Sequence, residues 1–247
     1  MSSVQTSTTS GPKGPSDRRP LASRNSRVMK ALAAWLAGRR CSPNLISLAG
    51  MFAGIIAGGL LAWTGHGAEG WVARGCYLGA AACVQFRLLC NLIDGMVAVE
   101  GGMKSVVGDL YNDVPDRVSD VGTLVGAGYA AASCPELGYL AAIVAVMTAY
   151  IRAVGKALTG VADYRGPMAK QQRMAAITVV CVYLGAAPEA WRPVLEPVVQ
   201  SAATGDIRWR GAFGLMALAL AIIALGGVAT CWRRLSAIAR ALRSRAA

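Results

Sequence analysis

Three carboxylates and two carboxamides lie at helical spacing within apolar stretches of this chain. Asn91 and Asp94 are three residues apart near the end of one stretch, and Gly108, Asn112, Asp116 and Asp120 follow at intervals of four in the next. On helices, each set shares one face. A charged side chain inside a membrane span costs roughly 2.5–3.5 kcal/mol on insertion scales, so it faces a bundle interior or a wet cavity. Oxygen donors without His or Cys suit a hard cation such as Mg²⁺ or Mn²⁺. Gly95, Ala98 and Gly108 are small enough to let a flat or bulky ligand approach the backbone. Small-residue helix packing accounts for the glycines equally well, but not for the acids at membrane depth.

Cations accompany this stripe. Arg87 precedes Asn91 by four residues on the same face, placed to pair with Asp120 or with a phosphate. Arg152 and Lys156 are four apart in a later apolar stretch, and Lys170 and Arg173 open another. All are candidate phosphate contacts. Snorkelling to the interface is the alternative, strongest for Lys170 and Arg165 and weaker for Arg87 and Arg152, which lie well inside apolar runs.

The elements that must position these groups are membrane helices. Of 247 residues, 55% are hydrophobic and 15% charged, with a mean hydropathy of +0.45. A soluble domain carries about 25% charged residues. A span needs roughly 20 mostly apolar residues, and six segments approach this: 44–64, 70–98, 105–133, 137–158, 170–188 and 210–232. The fold expected is an all-α membrane protein, with six transmembrane helices preceded by a cytoplasmic amphipathic helix. Residues 1–22, rich in Ser, Thr, Gly and Pro, read as a disordered tail. Residues 23–42 read as the amphipathic juxtamembrane helix, with Val28, Leu32, Trp35 and Leu36 at helical spacing. Residues 43–232 form the transmembrane catalytic domain, and 233–247 a basic cytoplasmic tail.

The net charge of +12 is concentrated in the N-terminal tail, a few short loops and the C-terminal end. This follows the positive-inside rule and places both termini and the polar stripe on the cytoplasmic side. No basic helix or aromatic-interleaved patch points to nucleic acid. The seven cysteines are odd in number, form no CxxC and read as small hydrophobes.

The run Asn91-Leu-Ile-Asp94-Gly95-Met-Val-Ala98, followed by Gly108-Asp-Leu-Tyr-Asn112-Asp-Val-Pro-Asp116, resembles the CDP-alcohol phosphotransferase (phosphatidyltransferase) signature. That signature is Asp, two residues, Asp-Gly, two residues, Ala-Arg, about eight residues, Gly, three residues, Asp, three residues, Asp. Pro43-Asn44-Leu-Ile-Ser47 is similar to the start of the family's first span, and Gly166–Arg173 to the polar start of its fifth helix. The resemblance covers roughly residues 40–190. It departs from the pattern at Asn91 and Asn112, which replace the first and third acids, and at Val99, which replaces the arginine.

The resemblance implies phospholipid biosynthesis: a substituted phosphate passes from CDP-diacylglycerol or a similar CDP-linked lipid to an alcohol acceptor, and CMP is released. One or two divalent ions, Mg²⁺ or Mn²⁺, are expected on Asn91, Asp94, Asn112 and Asp116, with Asp113 as a substitute charge. CDP is expected against Asp94, Gly95, Ala98 and Gly108. Asp116 is the implied general base, Asp120 a further acceptor-pocket candidate or a buried partner of the stripe, and a homodimer the implied assembly. Two other readings stand beside this one. The chain could be a non-catalytic relative that binds nucleotide or lipid, or a transporter built on intramembrane acids. Against the transporter, the stripe gathers near one face and no inverted repeat is apparent.

Overall fold

A computed structural model describes residues 26–102, 107–195 and 213–246. The tail at 1–22, Lys104 and most of the loop at 189–209 fall outside these residues. The described chain is all-α: α1 (Arg27–Gly38), α2 (Pro43–His66), α3 (Gly70–Glu100), α4 (Gly108–Gly128), α5 (Pro135–Thr159), α6 (Lys170–Ala186) and α7 (Leu215–Ala246). A 3₁₀ turn at Glu189–Trp191 and an antiparallel pair of two-residue strands, β1 (Val194–Leu195) and β2 (Phe213–Gly214), lie between α6 and α7.

Local chemistry sets these boundaries. Pro43 and Pro135 begin α2 and α5, where a missing N–H costs no helical bond. Gly160, in the left-handed conformation with φ 75°, ends α5. The third apolar segment, expected to span 105–133, is helical only over Gly108–Gly128. Its tail turns through Ala132, whose φ is +51°. α7 runs through the basic C-terminal residues as one helix to Ala246.

Four helices, α2, α3, α5 and α7, are long and apolar enough to cross a membrane. Their outward faces carry Ile143 at 63% exposure and Leu225 at 73%, which is a surface for lipid rather than water. α4 has adequate length, about 31 Å at 1.5 Å per residue, but its acids and Arg117 lower its hydropathy. α6, at 17 residues, reaches about 25 Å.

The core lies where α2, α3, α4, α5, α6 and α7 meet, filled by Leu61, Val84, Leu124, Ala145, Ile177 and Leu220. Close packing without a water-driven hydrophobic effect needs small residues. α2 presents Gly54 and Gly58 to α4, where a methyl on Gly58 would overlap the carbonyl of Gly122. Thr123 Oγ1 donates to the Gly54 carbonyl at 3.0 Å. This contact brings the α2 N-terminus, carrying Ser47, beside the polar stripe. α1 lays Leu32, Ala33 and Leu36 against Leu92, Ile93, Met96 and Val97 of α3, bracing the same end of the bundle.

Candidate active site

The end of α3 and the first turns of α4 bring their polar faces together beside Ser47 of α2. A small pocket is lined by Ser47, Gly50, Arg87, Cys90, Asn91, Asp94, Asn112 and Asp116. Asp94 is buried, 2% exposed; it accepts from Ser47 Oγ at 2.6 Å and from its neighbour's backbone N–H on Gly95. Asn112 Nδ2 reaches Asp94 Oδ1 at 3.4 Å, and Asn91 Nδ2 donates to Asp116 Oδ2 at 3.0 Å. Each amide thus crosses from one helix to the carboxylate of the other. Rotating either amide by 180° would present its oxygen instead.

A second cluster lies directly behind. Asp120 is 1% exposed and held by Arg87 of α3, itself 1% exposed, and by Arg173 Nη2 of α6 at 3.2 Å. Arg173 also donates to Thr148 Oγ1 at 3.2 Å and to the Met168 carbonyl at 3.0 Å. Arg87 Nη2 donates to the Asp116 carbonyl at 3.1 Å, so this guanidinium belongs to both clusters. Arg87 meets Asp120, one of the two partners open to it in the sequence, and its Nη2 also lies 3.6 Å from Asp116 Oδ1. Lys170, at the start of α6, ion-pairs with Asp116, and Arg117 approaches the same carboxylate at 3.5 Å.

Three candidates lie elsewhere. Asp113 faces away from the pocket, 59% exposed, and pairs with Arg152 of α5 at 3.0 Å. The Arg152 guanidinium also stacks on Tyr164, 5.5 Å from the ring centre. Lys156, half-buried one turn further along α5, is not among the pocket-lining residues. Gly95, Ala98 and Gly108 stay on the α3 and α4 backbones that frame the pocket, but no side chain lines it from those positions.

Two features of the site carry little signal in the sequence. Ser47 was legible only as part of a Pro-Asn-x-x-Ser run, and its hydrogen bond to Asp94 depends on how α2 crosses α3. A larger cavity of about 340 Å³ lies between the α5–α6 loop and α7, lined by Asp163, Arg165, Trp232, Arg233, Ser236, Ala237 and Arg240. Its α7 residues repeat at helical spacing, a signal hidden by reading these arginines only for membrane orientation. The loop is fixed by Arg234, buried, which donates to the Arg165 carbonyl at 3.1 Å and the Thr148 carbonyl at 2.7 Å.

Neither protein-family models nor curated proteins yield a match to this chain. Solved structures do. Mycobacterium tuberculosis phosphatidylinositol phosphate synthase (PgsA1) with CDP-DAG bound matches with a TM-score of 0.62 at 18% identity, covering 86% of this chain and 94% of that one. The same enzyme in complex with manganese and citrate matches with a TM-score of 0.61 at 18% identity, covering 85% and 88%. Its apo form gives 0.57 at 18% identity, over 83% and 93%. At a sequence distance of 18% identity, the chain therefore shares the fold of a phosphatidylinositol phosphate synthase.

Proposed function

We propose that this chain is a CDP-alcohol phosphatidyltransferase, which moves a substituted phosphate from a CDP-linked lipid to an alcohol and releases CMP. The observation that carries the reading is the convergence of Asn91, Asp94, Asn112 and Asp116 on one pocket between α3 and α4, at the spacing of the family signature. The PgsA1 structure of the same fold holds CDP-DAG. Six spans, counting α4 and α6 inside the bundle, with both termini and the pocket cytoplasmic, fit this reading and the distribution of Lys and Arg. So does α1 as an amphipathic helix on the membrane surface, and the resemblance adds a homodimer.

The residues present fit a divalent cation, judged by donor chemistry. Asp94 and Asp116 supply charged oxygens and the two amides supply neutral ones. Among the described residues no group of three His, Cys, Asp or Glu side chains gathers at one point, so the carboxylates would be joined in any ligand set by Asn oxygens, water or substrate phosphate. When bound, Mg²⁺ or Mn²⁺ neutralises a diphosphate and stabilises the departing CMP. Asp116 takes the acceptor's hydroxyl proton. The acceptor oxygen then bonds to the lipid-side phosphorus as the bridging P–O bond breaks, and the bond's electron pair leaves with CMP. Asp120 fixes Arg87 and Arg173 beside these groups rather than touching the acceptor. The arginine-lined cavity next to the α5–α6 loop favours an acceptor that carries phosphate.

The test is CMP release by the purified protein from CDP-diacylglycerol with Mg²⁺ or Mn²⁺ and a panel of alcohols, both phosphorylated and plain. Asp116→Asn is expected to abolish release, and undiminished release would remove Asp116 from the base role. The replacement of two motif acids by Asn91 and Asn112 favours one further reading, a relative that binds but does not turn over. An inert wild type that gains CMP release as Asn91→Asp with Asn112→Asp would establish it.

A further inference from the structure

Buried charges around the pocket come in equal numbers. Asp94, Asp116 and Asp120 are the acids, at 2%, 12% and 1% exposure. Arg87, Lys170 and Arg173 are the cations, at 1%, 12% and 2%. Arg117, 22% exposed, reaches Asp116 at 3.5 Å and Asp120 at 3.7 Å and adds at most one further positive charge, partly screened by solvent. The protein's own contribution to this site therefore lies between neutral and one positive charge. This balance follows from the two amides, because acids at positions 91 and 112 would add two negative charges to the site.

We infer that this site takes a single divalent cation per chain, anchored by Asp94, while the Lys170 ammonium supplies the positive charge at Asp116 that a second ion would otherwise bring. The inference rests on the transferase reading for its substrate, a diphosphate diester carrying two negative charges. One divalent ion offsets those two charges. A second would leave at least two uncompensated positive charges among buried groups, a costly arrangement. It would also have to displace Lys170 from Asp116. With Asp at both positions, the same count calls for two ions. The orphaned donors agree with a site whose fixed cations await anionic oxygen. Arg87 lines the pocket, and its Nε and Nη1 are buried without a hydrogen-bond partner.

The experiment is Mn²⁺ titration of the full chain in detergent, with and without CDP-diacylglycerol in the micelles, following loss of the free-ion EPR signal and subtracting protein-free micelles of the same lipid content. Wild type is expected to bind one Mn²⁺ per chain with CDP-diacylglycerol present, and the Asn91→Asp, Asn112→Asp double variant two. Lys170→Gln, which leaves the amides in place, is expected to tighten Mn²⁺ binding tenfold or more and serves if the double variant does not fold. Two ions or none on wild type with CDP-diacylglycerol, one ion on a folded double variant, or unchanged affinity in Lys170→Gln would each overturn the inference. CMP release from CDP-diacylglycerol, measured on the same samples, separates the two ideas. One Mn²⁺ without turnover leaves the ion count standing and overturns the transferase. Two Mn²⁺ with turnover does the reverse.

Discussion

Removing the carboxylate of Asp120 would leave two guanidinium groups buried without their counterion. Asp120 is 1% exposed and lies between Arg87, 1% exposed, and Arg173, 2% exposed, so water cannot readily replace it. Breaking a buried pair by deleting one partner costs about 3–5 kcal/mol, mostly the cost of the charge left behind. Asp120→Asn keeps one carbonyl acceptor, and Arg173 keeps Thr148 and the Met168 carbonyl, so the lower end, about 3 kcal/mol, is the better expectation. On the scale of soluble chains of 150–250 residues, where 1 kcal/mol is about 2–4 °C, this lowers the melting temperature by about 6–12 °C. The assay is thermal unfolding in detergent, followed by circular dichroism or by a dye that reacts with newly exposed thiols. Arg87→Leu combined with Asp120→Leu removes a charge of each sign and should recover at least half of the loss, because a matched apolar pair carries no desolvation cost. A single Asp120→Asn variant that melts within 1–2 °C of wild type, by that same scale, would show that water reaches the cluster and that its burial does not govern stability.

Two other consequences can be checked with less. Ser47→Ala removes the 2.6 Å hydrogen bond to Asp94, a bond to a charged group worth about 1.5–3 kcal/mol. Because that bond orients the proposed ion anchor, Mn²⁺ affinity, measured by isothermal titration, should fall about tenfold, and the melting temperature should fall by about 3–12 °C on the scale above. The second consequence concerns pH. Partial burial pushes the Asp163 carboxyl up, but bonds from the Arg165 side chain and backbone outweigh it and hold the group below the usual carboxylate range. A depressed folded value contributes stability above the unfolded pKa, near 3.9, that is lost as pH falls through the folded value. The protection factors of amides in the α5–α6 loop, with exchange corrected for its intrinsic pH dependence, should thus be steady from neutral pH to about 5 and fall below about 4, with Asp163→Asn removing the step.

Periodicity located the helices because lipid imposes a length and a composition on them. It could not separate a lipid-facing span from a polar helix inside the bundle. α4 is the example: its stripe of four-residue spacing is plain, but its hydropathy is lowered by the acids of that stripe. The pairing of Arg87 with Asp120 was one of two alternatives in the sequence, because spacing within α3 carries no information about the depth at which α4 crosses it. Asp113 shows the same limit. It is adjacent to Asn112, yet one residue turns a helix by about 100°, which here sends the carboxylate to Arg152 instead of into the pocket. Ser47 lies more than forty residues from Asp94, and the close packing of α2 on α3, where Gly50 lies against Arg87 and Cys90, puts it in reach.

The same geometry explains why a site with half its expected acids need not be a ruined one. Arg87, Lys170 and Arg173 each have an acid to meet. Asn91 and Asn112 are not idle polar residues either, since each bonds across the helix pair to the surviving carboxylate. The interior is therefore matched group by group around a smaller positive load. That matching is what a one-ion site requires, and it makes the ion count, rather than the presence of turnover, the more direct reading of what Asn91 and Asn112 do.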